Sequence, residues 1–402
     1  MRGVSVSFGT REPFPVDPSG AGIKFALNWC PATLCAGLAA CLLLTLLISL
    51  DLLPAPLVSR RPRPAARRTG PTPDTFTWSQ AEVDDTMLSR VDHLATVCKK
   101  HKLGLWQEPG VYPDIAPYPP SPQYGVWYFN RKYKLGYCPL YKSGSTSWLY
   151  NFALLGGYTE EQIARSARQI SDISRSVTPE LEFDGARQAM NDSFLFLVVR
   201  HPFERLISAY RDKLENIRVG LEHGTEHFYK KYGRRIVEKY RRKGSGALGR
   251  GWDALNVMRE VINRVAFQPG HGDDERVPPL GIEPTFAEFV QYLIDTDLAN
   301  YADDHWIPYY LFCTPCNVRY HAVAKFETLR QDQEYILKMG AVDHLIKAKW
   351  RHMTKGKPTK TVAERYFSTI TLDQARKLYE KYRFDFELFE YSPDDYFRMT
   401  HQ

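Results

Sequence analysis

The residues best suited to chemistry form a loop of small polar side chains behind one lysine, Lys142-Ser-Gly-Ser-Thr-Ser147. The aromatic segment before it, 133–141, is typical of a strand, and the apolar segment after it, 148–155, is typical of the start of a buried helix. A small-residue loop between a strand and a helix N-terminus directs backbone N–H groups and the helix dipole at one point. With the charge of Lys142 added, the loop suits a phosphate or a phosphosulfate.

The order of residues in this loop separates two kinds of nucleotide site. A nucleotide-kinase loop has glycine immediately before its lysine, whereas here Tyr141 precedes Lys142 and Gly144 follows it. The order therefore disfavours ATP kinase chemistry. The hexapeptide alone fits an ordinary Ser/Gly turn with a surface lysine equally well. A second segment is needed to choose between that turn and an anion-binding loop.

A second anion-binding segment follows the apolar run 194–199, which has the continuous hydrophobicity of a buried parallel strand. The run is followed by Arg200, and Pro202 is well placed to open the next helix, on which Ser208 lies. A guanidinium binds an anion as a fork, and Ser208 adds a hydroxyl. Two anion sites on neighbouring strand ends suit a nucleotide phosphorylated at both its 5' and 3' positions.

These two segments resemble the 5'-phosphosulfate loop and the 3'-phosphate segment of sulfotransferases that use 3'-phosphoadenosine 5'-phosphosulfate (PAPS). Within that superfamily the chain is similar to the carbohydrate sulfotransferases that include the chondroitin and dermatan 4-O-sulfotransferases. The resemblance runs from about Leu88 to Ser392, although the loop is richer in glycine and 271–279 is a loop of this chain's own. Further matching stretches are 285–290, 304–308, 311–316, 325–329 and 378–389.

The resemblance implies an α/β fold in which a central parallel sheet is flanked by helices, a P-loop-like sulfotransferase fold with PAPS at the carboxyl ends of the strands. PAPS is then the co-substrate, and the scheme requires no metal. The catalytic cation is Lys142, which stabilises the departing 5'-phosphate. The remaining donor-binding residues are Ser143, Gly144, Ser145, Thr146 and Ser147 for the phosphosulfate, with Arg200 and Ser208 for the 3'-phosphate.

The acceptor hydroxyl must lose a proton, so a histidine or carboxylate is expected near the sulfur as general base. We predict His305, because the neighbouring Asp303 and Asp304 would raise its basicity. The alternative is a structural histidine that caps a loop. Fallback candidates are Glu204, Glu327 and His201, while Arg205 and Arg211 are predicted as charges on a helix surface, with acceptor binding as their alternative.

One stretch, 229–250, holds nine lysines and arginines against one glutamate, whereas the whole chain of 402 residues has a net charge of +7. Such a run is either a solvated helix face or a track for a polyanion. Charge alone does not distinguish nucleic acid from acidic polysaccharide as the partner. The cellular compartment of the protein has to distinguish them. We predict an anionic glycan as partner and no nucleic acid.

The compartment follows from an N-terminal apolar segment. Residues 31–50 carry no charge and reach the roughly 20 residues that a membrane-spanning helix needs. A cleaved signal peptide is the competing interpretation. Five arginines after the segment would keep the C-terminal side cytosolic under the positive-inside tendency, but the anion-binding motifs and the layout of the similar family favour a single-pass type II protein of the Golgi membrane.

The predicted layout has one folded domain. Ser79 and Glu82 match a capping box, and apolar residues at helical spacing follow up to Cys98. The predicted segments are a cytosolic tail 1–24, a transmembrane signal anchor 25–53, a Pro/Arg-rich stem 54–78 and a lumenal sulfotransferase domain 79–402.

Cysteines and one sequon fit an oxidising lumen. Cys98, Cys138, Cys313 and Cys316 are an even number beyond the anchor, compatible with two disulfides in any of three pairings. The spacing of Cys313 and Cys316 also fits half of a zinc site, but no second such pair completes it. Asn191 heads the glycosylation sequon.

Two other classes of protein stay open. A nucleotide-dependent kinase or NTPase would bind ATP and depend on magnesium. A non-catalytic membrane protein that binds anionic glycans through 229–250 would be indifferent to PAPS, and the presence of both anion segments argues against it. The expected acceptor is a glycosaminoglycan such as chondroitin or dermatan, sulfated at the 4-O position.

Overall fold

The computed structural model describes residues 79–110, 118–217, 225–241, 281–349 and 359–401. The predicted tail 1–24, anchor 25–53 and stem 54–78 lie outside the described residues, as do 242–250 of the basic stretch and the loop 271–279. In the described ranges, we find no helix with the length and apolar character needed to span a bilayer.

A four-stranded sheet lies at the centre, in the order β1 (Tyr128–Asn130), β2 (Leu135–Cys138), β3 (Phe194–Val199) and β4 (Ala322–Lys325). The strands β2, β3 and β4 are parallel, as predicted, and β3 has the predicted bounds. The sheet is mixed, however, because β1 pairs antiparallel with β2. The sequence did not reveal β1, since three residues are too short to show a period of two.

The described helices surround this sheet. The first begins as predicted, since the Ser79 hydroxyl accepts from the Glu82 N–H and the Glu82 carboxylate accepts from the Ser79 N–H. In chain order they are α1 (Gln80–Lys100), α2 (Ser145–Leu155), α3 (Glu160–Arg165), α4 (Ile170–Val177), α5 (Phe183–Asp192), α6 (Pro202–Lys213), α7 (Thr225–Phe228), α8 (Arg234–Tyr240), α9 (Phe286–Asp295), α10 (Leu298–Tyr301), α11 (Tyr309–Phe312), α12 (Leu329–Met339), α13 (Thr359–Phe367), α14 (Leu372–Leu388) and α15 (Asp394–Met399).

Both faces of the sheet are covered, because successive side chains of a strand point to opposite faces. Phe196 and Val198 of β3 belong to a buried cluster with Trp148 of α2. Leu197 belongs to a second cluster with Phe203 of α6. Fully burying such a side chain contributes roughly 1.5–3 kcal/mol, so both layers hold the strand ends in place.

Two disulfides join distant parts of the chain. Cys98 on α1 pairs with Cys316, and Cys138 at the end of β2 pairs with Cys313. The prediction of two disulfides is confirmed, and one of the three possible pairings is selected. The half zinc site at Cys313 and Cys316 is wrong, because a sulfur held in a disulfide is not a thiolate ligand.

Candidate active site

The first anion-binding loop connects β2 to α2. Its Gly144 is the N-cap of α2 with a φ of 79°, a left-handed conformation that favours glycine, and a Cβ there would lie 2.9 Å from Leu329 Cδ2, so the leucine side chain would have to shift. Lys142 has a φ of 72°. A positive φ is uncommon for residues other than glycine, and such residues cluster at functional sites. The helix begins at Ser145, three residues earlier than predicted, so Ser145, Thr146 and Ser147 form its first turn.

The side chains of this loop differ in their exposure. Ser143, Ser145 and Ser147 are buried, whereas Gly144 and Thr146 are half-buried. The Ser143 hydroxyl is hydrogen-bonded to the phenol of Tyr309. Ser143 is therefore engaged within the protein, and the Ser147 N–H donates to the Gly144 carbonyl at 3.1 Å. The N–H groups of Ser145 and Thr146 are the first-turn groups that can face an anion.

Lys142 forms an ion pair with a residue 70 positions later in the chain, which no local sequence pattern predicts. Its Nζ lies 3.1 Å from Oδ2 of Asp212. Burial lowers the pKa of Lys142, while Asp212 opposes the change. Burial would raise the pKa of Asp212, but Lys142 and Lys213 outweigh burial and hold it below its usual value. The ion pair thus favours the charged form of Asp212, and Asp212 favours the charged form of Lys142 against burial.

Arg200 lies next to the same loop, because β2 and β3 are neighbouring parallel strands whose carboxyl ends meet at one edge of the sheet. Its Nη1 donates to the Lys142 carbonyl at 3.4 Å, and its Nη2 lies 3.4 Å from Glu204 Oε2. The guanidinium also stacks 4.5 Å above the ring centre of Phe326. The structure thus brings the two predicted cations together.

One face of α6 carries the two carboxylates that pair with Lys142 and Arg200. The helix begins at Pro202, as predicted. Glu204, Ser208 and Asp212 follow at intervals of four residues and so share a face. Glu204 meets Arg200 and Asp212 meets Lys142, which places the half-buried Ser208 between them.

His305 lies beside the loop, since its ring stacks on Tyr141 with 4.7 Å between the ring centres. Its Nδ1 lies 2.7 Å from Asp303 Oδ1, which fixes the proton on Nδ1 and leaves Nε2 as an acceptor. Burial lowers the pKa of His305, and Asp303 only partly opposes this. As predicted, the acidic neighbour Asp303 raises the pKa of His305, but burial lowers it by more, because burial disfavours the charged ring. His305 is neutral at pH 7.

Asp303 connects His305 to the basic stretch. Its Oδ2 accepts from the Tyr232 hydroxyl at 2.9 Å and lies 3.3 Å from Lys231 Nζ. Burial alone would raise the pKa of Asp303, but the His305 and Tyr232 hydrogen bonds help to hold it below its usual value. Asp303 therefore stays ionised and orients the imidazole.

Within 229–241 the basic side chains are largely paired with carboxylates. Arg241 makes two bonds to Glu288 and donates to the carbonyls of Gly281 and Glu283, so it holds the fold together. Charge counting in the sequence cannot detect such pairing, since the acids lie elsewhere in the chain. Further pairs are Lys230 with Glu226, Arg234 with Glu238, and Lys239 with Asp295.

Arg205 is a core residue and not a charge on the helix surface. Its side chain is fully buried, and it donates to the carbonyls of Tyr141, Asp304 and Ile307. The prediction of a helix-surface charge is wrong, because this residue is on the core face of α6. Its hydrogen bonds join the loop before Lys142 to the segment that carries His305.

Two fallback bases are used by the fold. Glu327 accepts from the His201 N–H at 2.9 Å and from the Tyr391 hydroxyl at 2.8 Å. His201 is buried, bonds the Ser392 carbonyl, and has its pKa lowered by burial to about 4. Both groups therefore join the segment after β3 to Tyr391 and Ser392.

The predicted glycosylation sequon lies at the end of α5. Asn191 is exposed near the end of α5, whereas Ser193 of the same sequon is buried. Glycosylation of Asn191 stays a prediction. Across 79–110, 118–217, 225–241, 281–349 and 359–401, no group of three or more His, Cys, Asp or Glu residues is arranged to hold a metal ion.

Two cations on adjacent strand ends lie next to a helix N-terminus at the carboxyl edge of the sheet, which is where open α/β proteins generally bind their ligands. A family model described as "Sulfotransferase family" matches residues 127–392, which is more than half of the chain. The chain belongs to this sulfotransferase family.

Curated relatives agree with this assignment. The chain is 29% identical to carbohydrate sulfotransferase 11 of Rattus norvegicus over 283 residues, which cover 67% of this chain and 68% of that one. It is 32% identical to carbohydrate sulfotransferase 10 of Danio rerio over 272 residues, or 65% and 64% of the two chains. Carbohydrate sulfotransferase 9 of Homo sapiens is 28% identical over 274 residues, or 66% and 53%. No solved structure matches the chain.

Proposed function

We propose that this chain is a carbohydrate sulfotransferase that transfers a sulfuryl group from PAPS to a glycan hydroxyl. The observation that supports the proposal is the contact between Arg200 and the Lys142 carbonyl, which joins the two predicted anion-binding segments at the carboxyl edge of the sheet. The names of the relatives support a carbohydrate as the acceptor. The proposed glycan is a glycosaminoglycan such as chondroitin or dermatan, with the 4-O position as the proposed target.

The residues at the carboxyl edge of the sheet fit a donor that is anionic at both ends. We assign Lys142 and the N–H groups of Ser145 and Thr146 to the phosphosulfate, and Arg200 with Ser208 to the 3'-phosphate. Gly144 keeps the loop free of a Cβ that would meet Leu329. Lys142 would neutralise the charge that develops on the leaving phosphate oxygen, which is the main electrostatic demand of such a transfer.

His305 is the base that we propose for the acceptor. Because Asp303 holds Nδ1–H and burial keeps the ring neutral, Nε2 has a lone pair for a proton. In the transfer, the bond between sulfur and the phosphate oxygen breaks and a bond to the acceptor oxygen forms. The proton of that hydroxyl goes to Nε2.

The basic stretch 229–250 is the surface that we propose for an anionic glycan. Its described part reaches the proposed base, since Lys231 is 51% exposed and lies 3.3 Å from Asp303. A cation there would attract a uronate next to the sugar that receives the sulfate. Nucleic acid is not a proposed partner.

The proposed location is the Golgi membrane, with the catalytic domain in the lumen of a single-pass type II protein. Two disulfides in the described residues support an oxidising compartment. The apolar segment 31–50 supports an anchor. Protease protection of the catalytic domain in intact Golgi vesicles is the expected result, and digestion before the vesicles are opened would contradict it.

The acceptor is tested by incubating the full chain with radiolabelled PAPS and a panel of desulfated chondroitin, dermatan and a neutral glycan. Labelling of a glycosaminoglycan at the 4-O position, read by disaccharide analysis, is the expected result. Labelling of the neutral glycan alone would show that the acceptor is a neutral glycan and not a glycosaminoglycan. No labelling and no PAPS binding would leave the glycan-binding alternative.

A further inference from the structure

The phenol of Tyr309 connects the two anion-binding segments. Tyr309 opens α11 and is fully buried. Its hydroxyl accepts from the Arg200 N–H at 2.9 Å and is hydrogen-bonded to the Ser143 hydroxyl, next to Lys142. A single oxygen thus joins the loop after β2 to the segment after β3.

Tyr309 is itself held on several sides. Its N–H donates to Asp385 Oδ2 at 2.8 Å, and the Tyr310 N–H donates to Oδ1 of the same carboxylate at 3.0 Å. Asp385 is fully buried on α14. The guanidinium of Arg205 lies 5.0 Å from the centre of the Tyr309 ring. The phenol is therefore fixed by partners that do not depend on the anion-binding residues.

We propose that Tyr309 is a positioning residue that fixes the separation of the two anion sites, so that a nucleotide with phosphates at both ends gains from binding both. The inference rests on the proposed PAPS-dependent function. Tyr309 is buried and acts through Ser143 and Arg200. Sites preorganised at the right separation bind a two-ended ligand without first ordering two segments, and this advantage does not exist for a ligand that uses one site.

The test is calorimetric titration of the full chain with adenosine 3',5'-bisphosphate and with adenosine 5'-monophosphate. Tyr309→Phe removes the shared oxygen, and Ser143→Ala removes one of its partners. We expect each change to weaken bisphosphate binding about tenfold, the effect of one buried group left without its partner, and monophosphate binding less than about twofold. Tyr320→Phe is the matched control, since that buried hydroxyl donates to the Cys313 carbonyl at 2.9 Å.

The ratio of the two affinities separates positioning from general stability. A loss that is equal for both ligands, or a ratio that Tyr320→Phe changes as much, would overturn the inference. If Tyr309→Phe does not fold, Ser143→Ala decides by the same ratio. A wild-type chain that binds the bisphosphate no more tightly than the monophosphate would instead contradict the proposed function, and the inference with it.

Discussion

The Nζ of Lys142 and the Oδ2 of Asp212 lie 3.1 Å apart, although one residue is in the loop after β2 and the other in the last turn of α6. Arg200 and Glu204 repeat the arrangement at the other anion site. Both cations proposed for the donor therefore already face a carboxylate from one helix face. An anionic donor has to compete with these carboxylates.

Asp212→Asn should tighten the binding of adenosine 3',5'-bisphosphate, because it removes a negative charge next to the proposed phosphosulfate site. Asp212 is 44% exposed, so solvent screens the effect, and we expect a gain of about two- to fivefold. Calorimetric titration measures it, with Asp184→Asn on the exposed surface of α5 as the control. Weaker binding would mean that Asp212 orients Lys142 for the donor.

His305→Gln should lower kcat for sulfate transfer by about 10²–10⁴-fold, the usual contribution of a general base. The Michaelis constant for PAPS should change little, because His305 is proposed to face the acceptor. Initial-rate kinetics with both substrates varied separate the two constants. A variant that keeps most of its kcat would leave His305 as a structural histidine stacked on Tyr141.

The pH profile tests the same base in another way. A general base has to be neutral, so kcat/KM should rise with pH through a pKa below 6.5 and then level off. Asp303 raises the pKa of His305 through its hydrogen bond and charge, so Asp303→Asn should move the midpoint to lower pH. Rates measured between pH 5 and 8 show the shift. A midpoint that stays in place or moves upward would contradict the role of this dyad.

Arg205→Lys should destabilise the fold, because an ammonium cannot reach the three carbonyls that the buried guanidinium satisfies. We expect the free energy of unfolding to fall by about 3–5 kcal/mol. Urea denaturation of the full chain measures the loss. Arg187→Lys is the control, since Arg187 is 63% exposed and pairs only loosely with Asp184, and it should change stability by less than about 0.5 kcal/mol. Similar losses in both variants would contradict the structural role.

The sequence predicted the elements whose signal is local. The run 194–199 is β3 with the same bounds, because six apolar residues in succession mark a buried parallel strand. Pro202 marked the start of α6 for a similarly local reason. The start of α2 was placed too late, since Ser145 to Ser147 have the composition of a loop although they form the first helical turn.

The site was predictable only in part, because its cations lie in short motifs but their partners do not. Ser143 and Tyr309 are 166 residues apart in the chain, and Arg205 and Ile307 are 102 apart. No local pattern reports such contacts. The same holds for the pairing of four cysteines, which sequence alone leaves open.

The most direct test of the proposed reaction is the transfer of radiolabelled sulfate from PAPS to desulfated glycosaminoglycan by the full chain, beside Lys142→Ala and Arg200→Ala. We predict transfer by the wild-type chain that depends on PAPS and that either substitution abolishes. Undiminished transfer by Lys142→Ala would contradict the proposed reaction. Phosphate transfer from ATP with magnesium, in place of sulfate transfer, would contradict it as well.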